Sequence, residues 1–246
     1  MIDLTWPRAR PPALIAVSGI DGSGKTTLID ALRERLGEDG YKVEVVWTRL
    51  EWTTLWESSS RLERITALVD WVPARKETAP AAPEPAEPTS AWLEPAPARS
   101  AAAQLRRRSR LLTRAWAGVV ATLHAQAQRK AVVPHLREGK VVICDRYTLD
   151  AAVALHRRYD SVRSLGLQVR LMQFLSPRPL LAWHLDLPVA VAAQRKEHEL
   201  GIAERQRENV LYRRERERLG WSRLDAARPV DELVQQVTRE AESALA

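Results

Sequence analysis

The chain has 246 residues, 45% apolar and 28% charged, which suits one large domain with a real core and excludes a globally disordered polymer. Lys and Arg outnumber Asp and Glu by 38 to 31, and the net charge of +7 favours anionic partners without choosing among nucleotides, nucleic acid and membrane surfaces. The single cysteine, Cys144, excludes a disulfide framework and a cysteine-based zinc finger, no apolar run approaches the ~18 residues of a membrane span, and Met1 to Pro12 holds no signal-like apolar stretch, so a soluble cytoplasmic protein is expected.

Ala13-Leu-Ile-Ala-Val-Ser-Gly19 is a short apolar run that reads as a buried strand. After a glycine-rich turn, Leu28, Ile29, Leu32 and Leu36 recur at helical spacing until Gly37 and Gly40 stop the helix. Tyr41 to Trp47 alternates as a second strand, so the chain opens as a βαβ unit and announces a parallel sheet. Trp52 to Val72 reads as a helix or a lid-like excursion. Seven of the fifteen prolines then fall between Pro73 and Pro97, and because proline removes backbone donors, residues 73–100 are expected to form a disordered insertion within one domain. A long helix is expected from about Ala101 to Ala131, with a turn near Pro134. Further strands are expected at Lys140–Asp145, Leu180–Leu187 and Arg223–Ala226. Val189 to Leu219 reads as helix, mobile charged loop and helix, and Val230, Leu233, Val234, Val237, Ala241 and Leu245 mark a closing amphipathic helix.

Gly19-Ile20-Asp21-Gly22-Ser23-Gly24-Lys25-Thr26 fits G-x-x-x-x-G-K-[ST], and Thr27 follows. The glycines let successive amide N–H groups converge on phosphate oxygens, and the helix that starts near Lys25 adds its positive end. Lys25 is expected to reach the β and γ phosphates of ATP and Thr26 to ligate Mg²⁺. A guanine-reading Asn-Lys-x-Asp segment is missing, since the only asparagine, Asn209, precedes Val210, which argues against a GTP switch.

Asp145-Arg146-Tyr147 follows a predicted strand, where ligands of parallel sheets bind. Asp145 could hold Mg²⁺ or make a strand-end salt bridge, and Arg146 could clamp a phosphate. With these two motifs the sequence resembles the thymidylate kinase family of P-loop nucleoside monophosphate kinases. Gly19 to Thr27 is similar to that family's phosphate loop, and Asp145-Arg146-Tyr147 to its DR[YF] element. Leu185-Asp-Leu-Pro188 with Val191 and Arg195 resembles the approach to its lid. Tyr212 to Arg218 resembles the arginine-rich helix after the lid, and Leu224-Asp-Ala226 with Pro229 to Leu233 the closing strand and helix.

The resemblance implies a three-layer α/β fold with a mainly parallel sheet of about five strands and a lid at 195–210. It implies in-line transfer of the ATP γ-phosphoryl group to a nucleoside monophosphate, by default dTMP, with catalysis resting on alignment and positive charge. Lys25, Arg146 and Arg195 would be catalytic, with Arg205 and Arg207 as further lid arginines. Asp21, Arg49, Arg114, Asp145, Arg146, Tyr147 and Asp150 would meet the acceptor, and Thr26 and Asp145 the metal. The bland alternative for Glu204 to Arg218 is a solvated helix with i,i+4 ion pairs. Asp150 could instead face solvent, and Trp47, Trp52 and Trp56 could stack on the acceptor or pack in a core. The family's dimerisation makes a homodimer one option.

Two segments depart from the family pattern. The family's T-R-E-P-G-G-T reads Thr48-Arg49-Leu-Glu-Trp-Thr-Thr54 here, and its serine and Ala-Tyr-Gln become Asp150 and Val153-Ala154-Leu155, so an alkyl group replaces the glutamine that helps read thymine. A diverged kinase acting on a sugar, lipid-linked or other small acceptor is therefore an alternative. Another is a non-catalytic nucleotide-dependent protein whose acid-free 101–137 segment, with Arg106, Arg107, Arg108, Arg110, Arg114, Arg129, Lys130 and Arg137, binds nucleic acid or membrane. The five histidines show no zinc-ligand spacing.

Overall fold

The computed structural model describes residues 11–48, 109–159, 164–195 and 202–245. The predicted insertion at 73–100, Arg49, Trp52, Trp56 and the segment 196–201 lie outside them. Five strands alternate with helices: β1 (Ala13–Gly19), α1 (Lys25–Glu38), β2 (Val43–Trp47), α2 (Arg110–Arg137), β3 (Val141–Asp145), α3 (Thr148–Arg158), α4 (Gly166–Leu175), β4 (Leu181–Asp186), α5 (Val189–Arg195), α6 (Ile202–Leu219), β5 (Ser222–Asp225) and α7 (Val230–Leu245).

All strands run parallel in the order β2-β3-β1-β4-β5, which makes the chain an α/β fold of the P-loop kinase kind. Strand β1 is central and every one of its residues is buried, as a parallel strand covered on both faces requires. Helices α1 and α7 pack on each other, while α2, α3 and α4 pack together and α3 carries α6. One continuous apolar core joins Leu28, Leu32 and Leu36 of α1, Val142 and Ile143 of β3, and Val237 and Ala241 of α7. Among the described residues no helix is long and apolar enough to cross a membrane.

Register decides what the sheet presents at its carboxyl edge. Val17 lies beside Asp145, Gly19 beside Leu185, and Trp47 beside Asp145 from the other side. The phosphate loop, Asp145-Arg146 and the end of β2 therefore converge. Helix α1 ends in a Schellman turn, with Tyr41 N–H donating to Leu36 O at 2.9 Å around Gly40 at φ +79°.

Two expectations are corrected here. Helix α2 does not stop before Pro134 but runs to Arg137. Pro134 sits on the exposed side in the last turn, where the carbonyl of exposed Lys130, deprived of its helical donor, can be met by water. Helices α3 and α4, which the periodicity did not announce, fill the connection between β3 and β4.

Candidate functional site

The phosphate loop leaves β1 at Gly19, where a backbone φ of +157° and the lack of space both demand glycine. A Cβ there would stand 2.8 Å from Leu185 O and 2.9 Å from Ser23 Oγ. Gly22 and Gly24 take left-handed conformations, at φ +84° and +86°, and Gly24 caps α1 without any side-chain acceptor. The first N–H groups of α1 thus keep no intrahelical or side-chain partner, which is the arrangement that accepts an anion. The Ser23 hydroxyl is buried without a hydrogen-bond partner, and Thr26 and Thr27 are exposed in the first turn.

Lys25 is buried. Its Nζ donates to Gly19 O at 2.7 Å and Ile20 O at 2.8 Å and lies 3.9 Å from an Asp21 carboxylate oxygen. Burial, and then the nearby Arg146 charge, pull its pKa down to about 8. The loop is closed on its own lysine, so phosphate oxygens would replace two carbonyls as Nζ partners.

Arg146 is the other cation. Its backbone sits at φ +67°, the only non-glycine residue with positive φ among those described, which costs roughly 1–2 kcal/mol for an L-residue. Three tethers hold it there. Its N–H donates to Val17 O at 2.9 Å, its carbonyl accepts from the Thr48 hydroxyl, and Thr48 N–H donates to Asp145 O at 3.2 Å. The guanidinium is thereby swung to Asp21, through Nη2, and to Asp150, through Nη1 at 3.2 Å. Burial opposes its charge, but Asp150, Asp21 and Asp145 outweigh that opposition.

The third group is Asp145. Its Oδ1 is buried with no hydrogen-bond partner, and it makes no ion pair among the described residues, so the strand-end salt bridge is set aside. Burial raises its carboxyl pKa, and Lys25 and Arg146 partly restrain the rise. An orphaned carboxylate oxygen beside a phosphate loop with the free Thr26 hydroxyl is a donor set that fits Mg²⁺. No group of three or more His, Cys, Asp or Glu able to hold a metal by themselves occurs among the described residues.

The remaining predicted residues fall into three groups. Asp150 is buried, so the solvent-facing alternative is overturned: it accepts from the Ser18 hydroxyl, Tyr147 N–H at 3.1 Å, Tyr212 Oη–H at 2.8 Å and Arg146. The Tyr147 ring is wholly buried and its hydroxyl donates to Pro177 O at 2.8 Å, so its side chain serves the core and is not gathered with the charged groups. Arg114 is exposed on α2, and Arg110, Arg129, Lys130 and Arg137 share its solvated character.

Arg205 and Arg207 lie on helix α6, so the part of the expected lid from 202 onward is helical. Arg205 is buried with Nε and Nη1 unpartnered among the described residues, whereas Arg207 is exposed. The side chain of Arg195 lies outside what is described. The pairing within Glu204–Arg218 is divided: Arg157 of α3 donates to Glu204 at 2.6 Å and to Glu208 at 3.2 Å, while Glu215 keeps in-helix pairs with Arg214 at 2.9 Å and, at i,i+3 rather than i,i+4, with Arg218 at 3.3 Å. Trp47 is 52% exposed at the end of an edge strand, which removes it from the core-packing alternative. Ser18 is a site residue that the sequence did not flag, and Tyr212, named only as the first residue of the arginine-rich helix, was given no role. Tyr212 carried one signal, an aromatic ring amid a run of arginine and glutamate.

No protein-family model matches the chain. A thymidylate kinase of Thermosynechococcus vestitus is 30% identical over 131 residues, 46% of this chain and 51% of that protein. Probable thymidylate kinases of Pyrococcus abyssi and Pyrococcus horikoshii are each 30% identical over 183 residues, 74% of this chain and 68% of those proteins. The chain therefore spans about half the length of the first relative and about two thirds of the other two. With a closed phosphate loop, an Asp-Arg pair on the adjoining strand and this similarity along most of its length, the chain belongs to the thymidylate kinase family.

Proposed function

We propose that the protein transfers the γ-phosphoryl group of Mg²⁺-ATP to a nucleoside monophosphate, with dTMP as the default acceptor. The observation that carries the reading is the convergence of Lys25, Arg146 and the orphaned Asp145 oxygen at the ends of the two adjoining parallel strands β1 and β3. An acceptor phosphate oxygen forms a bond to the γ-phosphorus as the bond to the β,γ-bridging oxygen breaks, and ADP leaves with that electron pair. Lys25 and the α1 amides bind the phosphates of ATP. Arg146 exchanges Asp21 for phosphate oxygen, and Arg195 and the buried Arg205 supply charge to the transferring group, with Arg207 further out. Thr26 and Asp145 would hold Mg²⁺, which neutralises phosphate charge when bound. Arg49 and Arg114 are assigned to the acceptor phosphate, in a cytoplasmic enzyme of nucleotide biosynthesis.

A second reading, a kinase of the same chemistry with another small acceptor, is favoured by one observation. Leu155, at the place of the family's base-reading glutamine, is wholly buried and offers a base nothing polar. ADP release from Mg²⁺-ATP against dTMP, dUMP, UMP, CMP, AMP and GMP separates the two. Strong turnover with dTMP supports the first, and silence across the panel with ATP still bound supports the second. Turnover retained in a folded Lys25→Ala variant would overturn both.

A further inference from the structure

We propose that Tyr212 is a positioning residue for phosphoryl transfer: through Asp150 it fixes the pose of the Arg146 guanidinium and couples helix α6 to the phosphate loop. The inference rests on the kinase reading above and adds to it a residue that was given no role in the site.

The argument starts at Asp150. An ionised carboxylate offers about four lone-pair sites, and four donors occupy this one. Oδ2 accepts from the Ser18 hydroxyl and from Tyr147 N–H; Oδ1 accepts from Tyr212 Oη–H at 2.8 Å and from Arg146 Nη1 at 3.2 Å. Asp150 is thus tied to β1, to the start of α3 and to α6 at once, and its satisfied oxygens leave nothing for an acceptor hydroxyl. Its partner on the other side of the guanidinium differs. Asp21 is 44% exposed and rides on the phosphate loop. Arg146 therefore has one fixed counter-ion and one that a phosphate can displace.

Tyr212 shares Oδ1 with Arg146, so its hydroxyl decides where that oxygen points. The ring cannot drift. It is buried and stacks on His184, with centroids 5.4 Å apart and planes 6° from parallel. Three and seven residues earlier on the same helix, Asn209 and Arg205 are buried too, and Asn209 Nδ2 donates to Leu187 O at 3.3 Å. The face of α6 that carries the buried Arg205 is the face that carries Tyr212, so a shift of α6 reaches Arg146 through one carboxylate. Without the hydroxyl, Oδ1 holds Arg146 alone and the charge-assisted contact loses its second anchor.

Tyr212→Phe keeps the ring and the stack and removes the one bond. In the full-length protein with labelled arginine, NMR should show distinct Arg146 Nη signals at low temperature, assigned by their loss in Arg146→Lys, and Tyr212→Phe should make them coalesce. With Mg²⁺-ATP and the best acceptor, kcat should fall about tenfold, as for one lost charge-coupled hydrogen bond, while the KM for ATP stays within about twofold. The same substitution made on Arg146→Lys should cost almost nothing more. Unchanged Arg146 signals in Tyr212→Phe, or additive losses in the double variant, would overturn the proposal. If the signals coalesce but the wild type phosphorylates no acceptor, the positioning role stands and the kinase reading falls.

Discussion

Lys25 makes ATP binding a protonation-linked event, and the link has a calculable size. Its amine is buried against two loop carbonyls and pulled down to about 8 by burial and by Arg146. At that value it is about 90% charged at pH 7 and about 10% charged at pH 9. If triphosphate binds only the charged amine, affinity falls about tenfold between those two conditions, or about 1.4 kcal/mol. Bound phosphates raise the amine's pKa, so binding at pH 8.5 to 9 must take up a proton. Isothermal titration of Mg²⁺-ATP in buffers of different ionisation enthalpy reads that uptake directly. Folding has the opposite slope: the folded state binds fewer protons than the unfolded one between about 8 and 10.4, so this group's contribution to stability rises with pH through that window. A flat affinity from pH 7 to 9, or proton release on binding, would refute the reasoning.

Three further outcomes are expected. Gly19→Ala drives a methyl against Leu185 O and Ser23 Oγ and should cost roughly 1–3 kcal/mol in urea unfolding, with ATP binding lost as the loop shifts. Asp145→Asn removes a half-buried carboxylate that no described residue pairs, so thermal stability should hold or rise while Mg²⁺-dependent turnover falls by roughly a hundredfold or more; equal activity would remove Asp145 from the metal site. Trp47→Ala should raise the acceptor KM and leave the ATP KM alone, because Trp47, exposed at the end of β2, is in register with Asp145 and lies two strands from β1; a change confined to ATP would place it on the wrong side of the site.

What the sequence could announce followed from local physics. Strands β1 and β3 are continuous apolar runs because parallel strands are covered on both faces, and the phosphate loop is legible because its glycines and Lys25 act within nine residues. Helix α4 was silent because apolar residues line both of its sides. Val169 and Met172 are buried while Leu167, Leu171 and Phe174 face outward, Phe174 at 84% exposure, and a ring of apolar positions has no readable period. Asp150 could not be placed between solvent and site, since its partners Ser18 and Tyr212 lie 132 and 62 residues away. The charged run of α6 suggested pairs within one helix, and only the packing of α3 beside it moved Glu204 and Glu208 onto Arg157.

The charges around the loop explain why positive help must come from outside it. Lys25 and Arg146 face Asp21, Asp145 and Asp150, two formal positive charges against three negative, so these side chains alone do not balance the charge of a triphosphate. Two groups change that sum. A magnesium ion on the orphaned Asp145 oxygen adds two positive charges, and Arg205, buried with Nε and Nη1 unpartnered, adds one that no carboxylate of the described residues cancels. On the kinase reading proposed above, phosphate chemistry would draw on a metal and on helix α6 together, and the Tyr212–Asp150 bond is where α6 meets Arg146. On the same reading, acceptor choice would turn on other positions, such as Leu155, buried on α3 where the resemblance implies a base-reading glutamine, and Trp47, exposed at the end of β2.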